Sequence, residues 1–246
     1  MQVAWDYTAL AAHYDKRADY APAALDRLMA ESGIGAGATV ADLGAGTGKL
    51  ALPLCRRGLK VLAVEPNDAM RAIGTENARG LDITWREGTG EASGLADHIA
   101  DLVTFGSSFN VVDQPRALAE TARLLRPRGW LACLWNHRDL DDPIQRAIEA
   151  IIIGEIKGYD YGKRREDPSP AIAASGLFEP AHHVEAGFVV DMPTDDVIEA
   201  WRSHGTLQRQ AGPRFEAIVA QIAALLAGRA VVPVPYHTRL WFARLR

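Results

Sequence analysis

The chain has few cysteines, few aromatic rings and no long apolar run. Cys55 and Cys133 are the only cysteines in 246 residues, and no CxxC spacing links them. That excludes a disulfide framework and a thiolate zinc site, and both read as buried free thiols in a reducing compartment. No apolar stretch approaches the roughly 20 residues that a membrane helix needs. The first residues, with Trp5, Asp6, His13 and Asp15, lack a secretory h-region, so a cytoplasmic protein without a membrane partner is expected. A net charge of −4 exerts no global pull on nucleic acid. The basic run Lys163-Arg164-Arg165 is followed directly by Glu166-Asp167 and reads as a solvated loop.

What is present is an ordinary globular composition, 48% hydrophobic and 24% charged, with one local pattern that stands out. Val40-Ala41-Asp42-Leu43-Gly44-Ala45-Gly46-Thr47-Gly48 is an apolar strand running into glycines at alternate positions, and a helix-like run begins at Lys49. Glycines there let the backbone turn sharply and let a ligand lie against the main chain. A second apolar stretch, Val61 to Val64, ends in Glu65. An ionised carboxylate at a strand tip can accept from two adjacent ribose hydroxyls. Together these features describe an adenosine site in a doubly wound sheet.

The remaining pattern supports that fold. Strands are expected at 39–43, 60–65, 82–86, 101–105 and 129–136, with helices at 48–57, 67–79 and 114–126 between them. A helix begun by Pro22 precedes them, and Pro127-Arg128-Gly129 should end the helix before the fifth strand. Alternation of this kind gives right-handed crossovers and a parallel sheet. Beyond residue 136 it stops. Asp142-Pro143 starts a helix, 158–171 is loop-rich, and a strand (182–190), two helices (194–204, 213–227) and a last strand (236–245) follow. Pro233 and Pro235 are expected to keep 231–235 out of the ladder. His182 and His183 point to opposite sides of a strand, which argues against a metal pair.

The dinucleotide pattern G-x-G-x-x-G wants glycine where Lys49 stands, and a phosphate loop fails at Leu43 and Leu50. Asp42, two residues before the first glycine, suits a ligand with a positive amino group better than a pyrophosphate. Asp42-Leu43-Gly44-Ala45-Gly46-Thr47-Gly48 resembles motif I, D-x-G-x-G-x-G, of the class I S-adenosylmethionine-dependent methyltransferases. The resemblance continues through Arg86 to Ala92, Asp101 to Phe105, Ser107 to Asp113 and Leu118 to Trp135, with departures. Thr89 stands where relatives carry an acid toward the adenine, and Asn110 replaces a histidine. It implies an α/β, Rossmann-like, doubly wound, mostly parallel seven-stranded sheet with an antiparallel last strand and a helical cap. The chain would be one domain: 1–30 as N-terminal cap or lid, 31–136 as cofactor-binding core, and 137–246 as cap helices and final strands.

The implied cofactor is S-adenosylmethionine. The implied cofactor residues are Tyr14, Arg17 and Tyr20 in the cap; Asp42, Gly44, Ala45, Gly46 and Gly48 in the turn; Glu65, Pro66 and Met70; Thr89, Gly90 and Glu91; and Ser107. Trp5, Tyr7, Tyr14, Tyr20, Phe109, Trp135 and Trp201 fall in predicted cap segments, loops or strand ends. As a set they suit a flat substrate. Tyr7, Phe109, Trp135 and Trp201 are the substrate candidates, with Asn136 as polar anchor. No general base is evident, so catalysis is expected mainly from positioning, with Tyr7 as the candidate catalytic side chain. The expected reaction is methyl transfer to a nitrogen or oxygen of a small aromatic or heteroaromatic metabolite, by a monomer or homodimer. In general likeness, though in no diagnostic motif, the chain also resembles the azapteridine N-methyltransferases of toxoflavin-type biosynthesis. A nicotinamide-dependent oxidoreductase and a catalytically silent S-adenosylmethionine-binding module remain as rivals.

Overall fold

The structure, a computed structural model, describes residues 7–246. A 3-10 turn, Thr8–Leu10, leads into α1 (Ala11–Tyr14), α2 (Pro22–Ser32), β1 (Thr39–Leu43), α3 (Ala51–Cys55), β2 (Lys60–Val64) and α4 (Asp68–Asn77). Then come β3 (Ile83–Arg86), β4 (Ala100–Gly106), α5 (Gln114–Leu124) and β5 (Leu125–Arg138). The second half contains α6 (Pro143–Glu155), α7 (Ser169–Ala174), β6 (His182–Pro193), α8 (Thr194–Arg202), α9 (Gly205–Ala211), α10 (Phe215–Leu226) and β7 (Val231–Arg244). The seven strands form one sheet in the order β3-β2-β1-β4-β5-β7-β6, and β7 runs antiparallel to both its neighbours. This is the expected doubly wound, mostly parallel sheet.

Local chemistry sets the helix ends. Asn67 Oδ1 accepts from the Met70 amide at 3.0 Å, and Asp142 Oδ1 accepts from the Ile144 and Gln145 amides at 2.9 Å. Both satisfy donors that a helix leaves open at its start. Gly33, with φ of 72°, closes α2 in the left-handed conformation.

Strand alternation then divides the core into two layers. On β5, Leu131, Cys133 and Trp135 join Phe105, Leu118 and Ile172 on one face. Trp130, Ala132 and Leu134 join Leu25, Leu28 and Leu54 on the other. Each fully buried side chain of this size contributes roughly 1.5–3 kcal/mol. A third cluster joins Ile148, Trp201, Leu207, Ile218 and Ile222 to Val232 and Val234 of β7. His182 and His183 do point oppositely, stacked on Phe242 and Trp241 respectively.

Several boundaries differ from expectation. β7 starts at Val231, with Pro233 opposite Asp191 and Pro235 opposite Val189 of β6. The Pro235 carbonyl accepts from the Asp139 amide at 3.0 Å, so Pro235 faces away from β6. Pro233, of the same parity, faces that way too. Their missing N–H groups therefore cost the β6 ladder nothing. Pro127-Arg128-Gly129 lies inside β5, where the register to β4 shifts between Ala100 and Leu102 and Arg128 takes φ of 64°. Helices α7 and α9 were not anticipated, and α3 is shorter than the 48–57 predicted.

Residues 7–21 lie across the carboxyl ends of the strands as a strap. Asn67 Nδ2 donates to Thr8 Oγ1 at 2.9 Å and Asn77 Nδ2 to Asp15 Oδ1 at 2.8 Å, while Lys16 pairs with Asp196 of α8 at 3.1 Å. His13 pairs with Glu199. The strap's far end is fixed by a relay: the Ala21 amide donates to Thr238 Oγ1 at 2.8 Å and that hydroxyl to Asn136 Oδ1 at 2.6 Å. Asn136 Nδ2 in turn donates to the Asp19 carbonyl at 2.9 Å. Asn136→Ala breaks this relay and strands buried polar groups at a cost of about 1–3 kcal/mol. For a chain of this size that is a melting temperature lower by about 2–12 °C, with faster proteolysis near residue 18. An unchanged calorimetric transition and digest would assign the strap's anchoring to its other contacts.

Candidate active site

β1 has β2 on one side and β4 on the other, with Asp42 level with both Ala63 and Thr104. Crossovers leaving in opposite directions open a crevice at the carboxyl end of β1, where ligands bind in open α/β sheets. A cleft of about 920 Å³ lies there, ample for a cofactor. Its walls are Gly44 and Gly46, Glu65 to Met70, Thr89 to Glu91, Ser107 and Ser108, and Val111 to Asp113, roofed by Tyr7 and Tyr14 of the strap.

Two glycines make this floor. Gly44 has φ of 71°, and a Cβ there would stand 2.6 Å from the Ser108 Cβ; no other residue fits. Gly46 has φ of 58°, and its Cβ would project toward Met70 Cε and Tyr14 Cε1, at 3.5 and 3.7 Å, in space a ligand would use. The Gly46 amide donates to Glu65 Oε2 and the Asn67 amide to Glu65 Oε1, both at 2.9 Å. Glu65 is 7% exposed. Burial pushes its carboxyl above the ordinary range, opposed by those two amides and by Arg71. Each oxygen keeps lone-pair capacity for a further donor, as a ribose diol would supply.

Asp42 lies beneath the turn, fully buried and off the cleft wall. Its Oδ1 accepts from Thr104 Oγ1 at 2.7 Å, and its Oδ2 has no hydrogen-bond partner. Burial, with some repulsion from Glu65, pushes its carboxyl up to about 7, against the pull of Thr104 and, less, the Ala51 amide. A cradle of glycines and a strand-tip carboxylate with spare acceptor capacity fit an adenosine ligand, whereas Asp42, predicted as a cofactor residue, does not line the cleft.

Of the predicted cofactor residues, Tyr14, Gly44, Gly46, Glu65, Pro66, Met70, Thr89, Gly90, Glu91 and Ser107 line this cleft. Ala45 and Gly48 do not line it. Nor does Tyr20, which supports the wall instead, its hydroxyl 3.0 Å from Ser107 Oγ. Arg17 is also off the cleft, with Nε and Nη2 donating to Ser203 Oγ and O at 2.7 and 2.6 Å and its guanidinium 4.2 Å over the Tyr14 ring. Thr89 Oγ1 accepts from the Glu91 and Ala92 amides, and Glu91 Oε1 from the Asp113 amide at 2.7 Å.

The aromatic substrate set needs correction. Phe109 is fully buried, edge-on to Phe105 at 5.2 Å. Trp135, 2% exposed, donates its indole N–H to Asn110 Oδ1 at 2.9 Å and packs on Trp241. Trp201 closes the third core cluster. All three are packing residues: the helices after β5 cover Trp201, while Phe109 and Trp135 sit in the core cluster built on β4, β5 and β7. Trp5 lies outside the described residues. Tyr7 does line the cleft, edge-on to Tyr14 at 5.9 Å. Asn136 is spent on the strap, although it borders a second chamber.

That second chamber, about 80 Å³, adjoins the cleft at Tyr14 and Ser107 and is bordered by Arg17, Lys49, Arg138, Tyr161, Arg165, His204 and Tyr236. A third, of about 20 Å³, shares Tyr7, Tyr14, Arg17 and Ser107. Arg138, Arg165, Tyr161 and Tyr236 were missed from sequence. Strand parity was the available signal for Arg138, which stands two residues past Asn136 on β5. Among the described residues no cluster of His, Cys, Asp and Glu could hold a metal, and no helix is long and apolar enough to cross a membrane.

Residues 41–133 match the family model described as a methyltransferase domain. An uncharacterized methyltransferase of Mycobacterium tuberculosis is 38% identical over 157 residues, 62% of this chain and 58% of the relative. The match therefore spans less than two thirds of that relative's length. The ubiquinone/menaquinone biosynthesis C-methyltransferase of Klebsiella pneumoniae is 30% identical over 161 residues, 60% of this chain and 64% of the relative. In fold, a protein assigned as a type II methyltransferase from Anaeromyxobacter dehalogenans superposes with a TM-score of 0.61 at 20% identity, covering 94% of this chain and 97% of that one.

Two predictions follow from the buried acids. Asp42 has a folded value of about 7 against an ordinary 3.8, so the folded form retains a proton that the unfolded chain releases between those values. Ligand-free protein should lose stability through Asp42 as pH rises from 4 to 7, by roughly 4 kcal/mol. Asp42→Asn removes that slope, so the wild-type-minus-variant difference in unfolding free energy should fall steadily over this window and level off above it. A flat difference would refute the buried-acid assignment. Glu65→Ala should weaken S-adenosylhomocysteine about tenfold or more in calorimetry, since a hydrogen bond to a charged group contributes about 1.5–3 kcal/mol. Unchanged affinity would remove Glu65 from the site.

Proposed function

We propose that this chain, whose residues 41–133 match a methyltransferase domain model, uses S-adenosylmethionine as cofactor and transfers its methyl group to a nitrogen or oxygen of a small aromatic or heteroaromatic molecule. The observation that supports this best is continuity: Tyr14 and Ser107 border the cofactor cleft and both smaller chambers. An acceptor seated at that junction lies beside the cofactor's reactive end. Tyr7, Tyr14, Tyr161 and Tyr236 around these spaces offer flat faces with polar tips, which suit a planar ring bearing heteroatoms. An azapteridine of toxin or secondary-metabolite biosynthesis meets that description. The Klebsiella relative is a C-methyltransferase by name, which brings an activated ring carbon into the set of acceptor atoms.

When bound, the cofactor supplies an electrophilic methyl group on a positively charged sulfur. The chain's part is to hold the acceptor atom in line with that methyl, where orientation is worth up to about 7–11 kcal/mol. The strap excludes water from the junction, and its ties to α4 and α8 keep Tyr14 in place. A ring nitrogen or phenol that ionises near neutrality needs little base. In this reading the described part of the 1–30 cap, from Tyr7 onward, roofs the site, 31–136 hold the cofactor and 137–246 face the acceptor, the chain acting as a monomer or homodimer.

The test is methyl transfer from radiolabelled S-adenosylmethionine to a panel of phenols, azaheterocycles including azapteridines, and quinols, with products identified by mass. Tyr14→Ala should lower kcat/KM about 10–100-fold while the melting temperature moves little. Tight S-adenosylhomocysteine binding with no transfer to any compound would leave the chain a silent binding module.

A further inference from the structure

The second chamber has a charge that the whole chain does not. The protein is net negative, yet Arg17, Lys49, Arg138 and Arg165 all border this small space, and no Asp or Glu does. Several arginines elsewhere are closed by carboxylates, Arg57 by Asp26, Arg123 by Asp97 and Glu120, Arg126 by Asp101. Of the four chamber cations only Lys49 has an acid among the described residues, Asp19 at 3.4 Å. Arg138 is held by rings instead, 4.0 Å over Trp201 and 5.7 Å from Tyr236, and its buried Nε has no hydrogen-bond partner among the described residues. Arg165 lies 3.6 Å over the Tyr161 ring, whose hydroxyl donates to Glu149.

Stacking fixes the plane of a guanidinium without consuming its in-plane donors. Two arginines so fixed, with neither paired to a carboxylate among the described residues, form a preorganised receptor for a planar or tetrahedral oxyanion. The chamber's size sets what enters it. About 80 Å³ is space for a few waters, hence for one carboxylate or phosphate and not for a cofactor or a fused ring system.

Resting on the methyltransferase reading above, we propose that the methyl acceptor is an anion, whose carboxylate or phosphate is seated in this chamber by Arg138 and Arg165. Its reacting atom then lies at the Tyr14–Ser107 junction. The strand supplies the geometry: β5 brings Asn136 to tie down the strap and, one pleat further, Arg138 to meet the acid. Lys49 and Arg17 add field at the chamber's inner edge. The alternative occupant, the cofactor's own carboxylate, is decided by the same experiment.

The full chain is saturated with S-adenosylhomocysteine and titrated by calorimetry and thermal shift with matched pairs of heteroaromatic and phenolic compounds. Each pair consists of a carboxylate with its amide, or a phosphate monoester with its parent alcohol. At least some anions should bind about tenfold tighter than their neutral partners, and Arg165→Gln and Arg138→Gln should each erase that preference. Arg138→Lys keeps the charge and should retain part of it, which separates recognition from misfolding. Carboxylate preference without phosphate preference, or the reverse, names the anion. If no anion in the panel outperforms its neutral partner, or if the preference survives both Gln variants, the proposal is overturned. In parallel, S-adenosylhomocysteine is compared with 5′-methylthioadenosine, which lacks the amino-acid carboxylate. If Arg138→Gln abolishes the difference between these two, the chamber serves the cofactor and the proposal is again overturned. Failure of S-adenosylhomocysteine to bind wild-type protein would instead sink the cofactor assignment, a separate outcome.

Discussion

The site depends on one constraint, that β1 is paired in parallel on both sides, to β2 and to β4. Only there can successive crossovers leave toward opposite faces of the sheet, and the gap they leave is the ligand's space. The glycine turn follows β1 into that gap because nothing else can. Glu65, at the tip of β2, completes it by taking one amide from the turn and one from the start of α4. A single carboxylate thus sets the spacing between two elements that would otherwise be free to adjust, and it is the group best placed to meet a diol.

The arrangement runs against stability. Two carboxyl groups, Asp42 and Glu65, are buried close enough that each feels desolvation and Asp42 also feels its neighbour's charge. Asp42 keeps one oxygen without a hydrogen bond. A core built only for folding would not retain such a pair. Both acids lie where strands converge on a cleft, the position at which perturbed carboxyl groups mark a candidate site.

The first half of the fold was legible because its information is local. Asp42 through Gly48 and Glu65 announce a turn and a strand tip by residue type alone, and caps such as Asn67 and Asp142 mark helix starts. The aromatics were not legible, since a tryptophan reads the same whether a helix covers it or not. Trp201 was decided by the helices after β5 and Trp135 by Trp241 of the distant β7, packing that no single segment encodes. Pro233 and Pro235 misled for a related reason. A proline's cost in a strand depends on which neighbour it faces, and that is a property of the sheet. Arg138 was the missed opportunity, because period-two alternation from Asn136 was already on the page.

The placement of β7 bears on the order in which the molecule can be assembled. β6 is synthesised before β7, and its partner in the sheet is β7 and no other strand. Until β7 enters between β5 and β6, β6 has no ladder and half of β5 is an open edge. Thr238, which fastens the strap, lies on that same late strand. The strap's far end is therefore fastened only after the most distant strand pairing, β5 with β7, has formed. A nascent or partly unfolded chain would present an unroofed cofactor site beside an unpaired strand edge, a form recognisable to a chaperone before it is competent as an enzyme.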